Sequence, residues 1–244
     1  MITRSTNDSR PLSRAEVPPI VWPKREPPII ECRRLFEPIT GGDWAAAERA
    51  LAAALPIPLQ QAWLAQPEPA FRSASVRTGW WEDKLWVLAE IPDVDIFNPA
   101  VEFNADFFLS GDVFEMFLRP DPQDAYYEFH IGPANQKFQV RIPSGVAFRQ
   151  PPPHGQRDWK VVTPLLQSWT RVDAARQRWQ VMAAVPFAAV CESLAALAGR
   201  EWWFSFCRYD YTRGGGTPCL SSTSPHRRVD FHRQEEWRRL RFIP

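Results

Sequence analysis

From residue 29 onward, short runs of alternating apolar and polar residues are broken by clusters of Pro, Gly, Asn and Asp. A period of two marks strands, and such clusters mark turns. Residues 29–36 read as a first strand. Residues 73–81 and 84–91 read as a hairpin around Glu82-Asp83. Residues 111–118, 126–131 and 137–142 read as a meander, and 159–164, 168–173, 178–185, 201–209 and 237–242 complete the set. Two segments have helical texture. One follows Asp43 through the alanine-rich run 44–54 and ends at Pro56, with Asp43 as N-cap. The other opens at Pro186 and closes before Gly199. The stretch 150–155 is a Pro-rich loop, and 212–228 is a long polar loop. About ten short strands, two short helices and no βαβ alternation predict an all-β fold, an antiparallel β-sandwich of jelly-roll type. The first helix is expected against a sheet edge.

Composition adds boundaries. Residues 1–28 are polar and then Pro-rich, which predicts an extended arm, and 29–244 then form one domain. The chain is 45% hydrophobic and 13% aromatic, enough material for a core. With 29 basic against 28 acidic residues, it has no field that would attract nucleic acid. Arg238, Arg239 and Arg241 read as the solvated face of a last strand. No apolar run is long enough to span a membrane. The N-terminus has no apolar signal core, which places the chain as given in the cytoplasm, or outside the cell if a leader was removed. Cys32, Cys191, Cys207 and Cys219 form no C-x-x-C pair and are expected as buried free thiols.

Motifs for nucleophilic, metalloprotease or phosphate chemistry are missing, and Gly214-Gly215-Gly216 reads as loop. Glu128 and His130 share a strand face, either as polar surface or as an acid–base or metal pair. Glu115 and Glu128 can approach across a hairpin, as glycosidase carboxylates do, or be balanced by Arg119 or Arg141. Asp93, Asp95 and Asp106 lie in an oxygen-rich stretch that could hold calcium, without EF-hand spacing. The twelve tryptophans stand out. In Trp80-Trp81 and Trp202-Trp203 the adjacent rings face opposite sides, so one of each pair can fill the core while the other remains available for a flat ligand.

Several segments, in order, resemble the family 9 carbohydrate-binding modules, whose sandwich is also DOMON-like. They are Val76-Arg77-Thr78-Gly79-Trp80, Lys84 to Ala89 with Asp93 after it, Gly111 to Leu118, Tyr126-Tyr127-Glu128-Phe129, Trp179 to Phe187, Trp202 to Tyr209, Leu220 to Pro225, and Phe231-His232 with 237–242. The resemblance covers roughly 29–243. It implies a β-sandwich, saccharide binding, attachment in many relatives to glycoside hydrolases, and structural calcium. Such modules clamp a terminal sugar between two aromatic rings. One ring's neighbourhood here holds Phe107 and Phe108, whereas Leu220 to Pro225 has no aromatic, so one jaw is missing.

These readings converge on a non-catalytic carbohydrate-binding-like module, associated with carbohydrate catabolism, with calcium as a structural ion and a saccharide as partner. Trp80, Trp81, Phe107 and Phe108 are the stacking candidates, and Glu115, Arg208 and His226 the hydrogen-bonding ones. Arg208 and Glu115 could instead form a buried pair between neighbouring strands. The alternative is a protein-interaction domain whose sugar site is lost. A third reading uses Glu115 and Glu128 as glycoside-hydrolase carboxylates. A haem site needs an accessible Met, Lys or His pair, and Met116 and Met182 both fall in strand cores by pattern.

Overall fold

A computed structural model of the chain describes residues 29–150, 159–191 and 200–244. The expected arm over 1–28, most of the Pro-rich loop and the rest of the second expected helix lie outside the described residues.

The strands are β1 (Ile30–Arg34), β2 (Ile57–Pro58), β3 (Ser75–Trp81), β4 (Lys84–Pro92), β5 (Val113–Pro120) and β6 (Tyr126–Ile131). They continue as β7 (Lys137–Ile142), β8 (Gln167–Asp173), β9 (Arg178–Pro186), β10 (Glu201–Asp210), β11 (Cys219–Ser222) and β12 (Arg238–Ile243). Among the described residues three short helices accompany them: α1 (Trp44–Ala50), α2 (Gly145–Arg149) and α3 (Phe187–Val190). None of the described helices is long and apolar enough to cross a membrane.

All strands join one curled sheet in the order β7-β6-β5-β10-β12-β1-β3-β4-β9-β8, with β11 added to β10 and β2 to β3. The sheet closes over itself, so Phe114, Met116 and Leu118 of β5 share one buried cluster with Val87, Ala89 and Val181 from the other half. Each of the larger side chains among them contributes about 1.5–3 kcal/mol on burial. The outer faces are covered as well. On the β3-β4-β9 half, α1 brings Ala47 and Leu51 onto Trp86, Leu88 and Met182. The helix therefore caps a sheet face, where an edge position was expected. Asp43 starts it as read, accepting from the Ala46 N–H at 2.9 Å. A Cβ on Gly79 would lie 2.3 Å from Leu35 Cδ2, so glycine here lets Leu35 pack flat on β3.

Three further differences from the sequence reading have local causes. β1 runs parallel to both β12 and β3, an exception to the antiparallel pattern. Residues 159–164 form only a bridge from Lys160 to Val140. The supposed polar loop 212–228 contains β11, whose Ser221 and Ser222 are buried because they pair with Arg208 and Cys207 of β10. The four cysteines are free thiols, with Cys32 and Cys207 buried and the other two partly so.

Candidate functional site

On the half containing β5, β6, β7 and β10, the outer face is only partly covered, which leaves a pocket of about 420 Å³. Its floor follows from strand alternation. Glu115 and Phe117 project outward from β5, while Phe114 and Met116 go inward. Antiparallel register places Glu115 opposite His130 and Phe117 opposite Glu128. Loops and a helix raise the walls. Phe108 comes from the turn Phe107–Leu109, held by Tyr211 Oη donating to the Phe108 carbonyl at 2.9 Å and Asn98 Nδ2 to the Phe107 carbonyl at 3.0 Å. Phe148 comes from α2, which Ser144 caps by accepting from the Ala147 N–H at 3.0 Å. Phe231 and His232 come from a segment pinned by Trp237 Nε1 donating to the Phe231 carbonyl at 2.7 Å. Trp159, Phe138 and Tyr209 complete the rim. The His232 ring stacks on Phe148 with centroids 3.7 Å apart.

The floor is charged and nearly dry: Glu115 is 2% exposed and His130 1%. His130 Nε2 lies 2.5 Å from Glu128 Oε1 and 3.2 Å from Glu115 Oε1. His232 Nε2 lies 3.8 Å from the other Glu128 oxygen, and its Nδ1 is 2.9 Å from the Tyr126 hydroxyl. Burial pushes Glu115 up to about 8, with Glu128 adding to the rise against the pull of His130. Burial would raise Glu128 too, but the charges of His130 and His232 and the His130 hydrogen bond outweigh it and hold the group low. For His130, burial favours the neutral ring, yet the two glutamates win and raise it. The floor thus pairs one proton-bearing carboxyl with one ionised carboxylate.

A second buried cluster sits at the same end of β5 and β10, on the opposite face, pointing inward. Arg208 Nη2 lies 3.0 Å from Asp93 Oδ2 and 2.9 Å from Asp210 Oδ2, without hydrogen-bond alignment, while its Nη1 donates to the Arg72 carbonyl at 3.2 Å. Asp112 accepts from the Phe97 N–H at 2.7 Å and the Tyr211 N–H at 2.8 Å. Burial, then the charge of Asp93, raises Asp112 to about 8. Burial raises Asp210 to about 6 against the pull of Arg208. A Cβ on Gly111 would lie 2.6 Å from Asn98 Cα, so only glycine lets β5 start this close to the loop at Phe97 and Asn98. By fixing Tyr211, this cluster indirectly fixes Phe108.

The site residues read from sequence divide accordingly. Phe108 and Glu115 line the pocket. Phe107 is buried beneath it, with its ring edge to His130. Trp80 and Trp81 are on β3, in the other half: Trp80 Nε1 donates to the Ile243 carbonyl at 2.8 Å, and Arg34 lies over both rings. Neither lines the pocket. Arg208 points inward to aspartates, and its strand neighbour opposite Glu115 is Cys207, so no Arg208–Glu115 pair exists. His226 is fully buried between Ser205 and Glu236, and burial lowers it to about 4 despite Glu236. Glu115 and Glu128 are balanced by His130, not by Arg119 or Arg141. Phe138, Phe148, Trp159, Tyr209 and His232 went unnoticed as pocket-lining residues. Only Tyr209 had a signal, being two residues beyond Cys207 on the same face of β10.

The calcium set is also rearranged. Asp106 pairs with Lys160 at 2.9 Å, and Asp95 is held by the Arg213 backbone N–H at 2.6 Å and its guanidinium. Among the described residues Glu115, Glu128 and His130 form one group converging within 4.8 Å; of the three expected calcium ligands, only Asp93 belongs to another such group, with Asp112 and Asp210. Oxygen donors suit calcium. Here the Arg208 guanidinium stands between two of them, and both Asp112 oxygens are taken by backbone N–H groups. These residues do not fit a calcium ion.

No family model matches the sequence, and neither does any curated protein. Solved structures do match. A protein from Bacteroides uniformis, whose carbohydrate binding is inferred, aligns with a TM-score of 0.65 at 16% identity over 87% of this chain and 98% of that one. A family 9 carbohydrate-binding module from Caldicellulosiruptor kristjanssonii in complex with cellotriose aligns at 0.60 and 12% identity, over 88% and 94% of the chains. A complex of a family 9 module from the same organism with glucose aligns at 0.58 and 11% identity, over 87% and 95%. The chain has the fold of the family 9 carbohydrate-binding modules.

Proposed function

We propose that the pocket over Glu115 and Glu128 binds a saccharide and that the chain acts as a non-catalytic carbohydrate-binding module. The observation that carries this reading is the pocket's make-up: aromatic rings and the His232 imidazole form the walls, and the carboxyl groups of Glu115 and Glu128 sit at the floor. Sugar rings offer apolar C–H faces to aromatics and hydroxyls to fixed polar groups, and a pocket of this size is in the range of ligand sites. The likeness to modules solved with cellotriose and glucose supports the same reading.

The loss of one aromatic jaw from 220–225 argued for a protein-interaction domain. Phe148 and Trp159 supply an aromatic wall from other segments, which favours a retained small-molecule site. A hydrolase would need two carboxyls free to act on one bond. Glu115 and Glu128 instead share one imidazole, which favours recognition over catalysis.

The test is a titration of intrinsic tryptophan fluorescence with a panel of mono- and oligosaccharides. Trp159 lies in the pocket wall, so a bound sugar changes its emission saturably. A flat response across the panel at millimolar sugar would reject the reading.

A further inference from the structure

Glu115 and Glu128 reach the pocket from neighbouring strands, and His130 is buried behind them. One imidazole nitrogen has to serve both carboxyls. His130 Nε2 makes its hydrogen bond with Glu128 Oε1, at 2.5 Å, while its Nδ1 is buried and faces no partner. Glu115 Oε1 lies 3.2 Å from the same Nε2 without hydrogen-bond alignment, and Glu115 makes no hydrogen bond among the described residues. A carboxylate that is 2% exposed and lacks a hydrogen bond is costly, and a second carboxylate beside it raises the cost. The neutral acid removes both costs and carries an O–H. Burial and Glu128 move the group the same way, against the pull of His130.

We infer that Glu115 sets the specificity of the pocket as a neutral carboxylic acid, donating a hydrogen bond to an oxygen of an uncharged saccharide while Glu128 accepts from a neighbouring hydroxyl. This rests on the saccharide reading above and assigns the two roles within the same site. A donor beside an acceptor suits two hydroxyls of one sugar ring, since a hydroxyl both gives and accepts. Ionised, Glu115 has no proton to give and draws water into the cavity, which an entering sugar has to strip away. Binding therefore weakens as pH rises through the titration of Glu115. The groups facing it leave one competitor for that proton. On β10, burial pushes the Cys207 thiol and the Tyr209 phenol up, and Tyr211 beyond it is raised as well. At the rim, burial lowers His232 so that it is neutral, Asp230 meets Arg228 at 3.5 Å, and Asp106 meets Lys160 at 2.9 Å. The competitor is His130, where the charges of both glutamates outweigh burial and raise the ring.

The experiment is calorimetric titration of the full chain with methyl β-glucoside and with cellotriose at pH 7 and pH 9. Each is run in two buffers of different ionisation enthalpy, which reads the protons exchanged on binding. Because Glu115 is raised to about 8, affinity is expected to fall about tenfold between the two pH values, with uptake of about one proton per sugar at pH 9. Glu115→Gln keeps a weaker donor and removes the titration. It should bind less tightly than wild type at pH 7, change little by pH 9, and take up no proton. Its thermal transition reports folding, and the wild-type proton uptake stands if the variant fails to fold. A wild-type affinity that is flat from pH 7 to 9 without proton uptake would overturn the inference and leave the saccharide reading standing. A folded Glu115→Gln that takes up as many protons as wild type would also overturn it, by giving the proton to His130. Binding of neither sugar at millimolar concentration would remove the assignment, and only a flat response across the whole fluorescence panel would remove the saccharide reading with it.

Discussion

Two buried acidic clusters sit on neighbouring strands of one half of the sandwich, and their partners separate their roles. Asp93, Asp112 and Asp210 point inward and are held by a guanidinium and two backbone N–H groups. Glu115 and Glu128 point outward, have only imidazoles as charged partners among the described residues, and open onto a cavity. The first set resolves its own charge and ties loops together. The second keeps bonding capacity directed at whatever enters the pocket. Burial alone would not distinguish them, because Asp112 and Glu115 are both almost out of solvent and both pushed up to about 8.

Removing the cation of the inner cluster should have the largest effect. Arg208→Met leaves carboxylates buried without their partner, and it is expected to cost about 3–5 kcal/mol in urea unfolding. A loss below about 1 kcal/mol would break the comparison.

His226 belongs with the structural side and gives the next effect. Its folded pKa of about 4 is below the ordinary value of 6.5. Its neutral form therefore contributes stability in full above pH 6.5, and that contribution is lost as pH falls toward 4. Between pH 7 and 4.5, wild type should lose up to about 3 kcal/mol more than His226→Gln, read from unfolding midpoints at each pH. Parallel pH profiles would remove His226 from the account.

The pocket acids should matter little to stability. Near neutral pH Glu115 is largely protonated, so Glu115→Gln is expected to change unfolding free energy by less than about 1 kcal/mol while weakening saccharide binding. The smallest effect expected is that of metal removal. Because Arg208 stands among the aspartates, EDTA should leave the thermal midpoint unchanged. A drop reversed by added calcium would show that the inner cluster holds an ion after all.

The strands were largely legible in the sequence, since alternation and turn residues are local signals. β11 was not, because Ser221-Ser222 looks polar and is buried only by pairing with β10. The candidate site was half legible. Glu128 and His130 were placed on one face by spacing alone, and Phe108 and Glu115 by resemblance. Trp80 and Trp81 were misplaced for a physical reason. Both faces of this sheet are covered, by the opposite half and by α1 or the loops, so alternation does not say which face stays open. Phe148, Trp159 and His232 reach the pocket from separate loops, and no spacing rule links them.

The most direct test of the central claim is calorimetric titration of a binding saccharide into Phe108→Ala and Trp81→Ala in parallel. The account predicts that Phe108→Ala weakens binding about tenfold, because it removes a pocket wall, while Trp81→Ala leaves the affinity unchanged. Loss of affinity in Trp81→Ala with Phe108→Ala unaffected would contradict it and move the site to the other half of the sandwich.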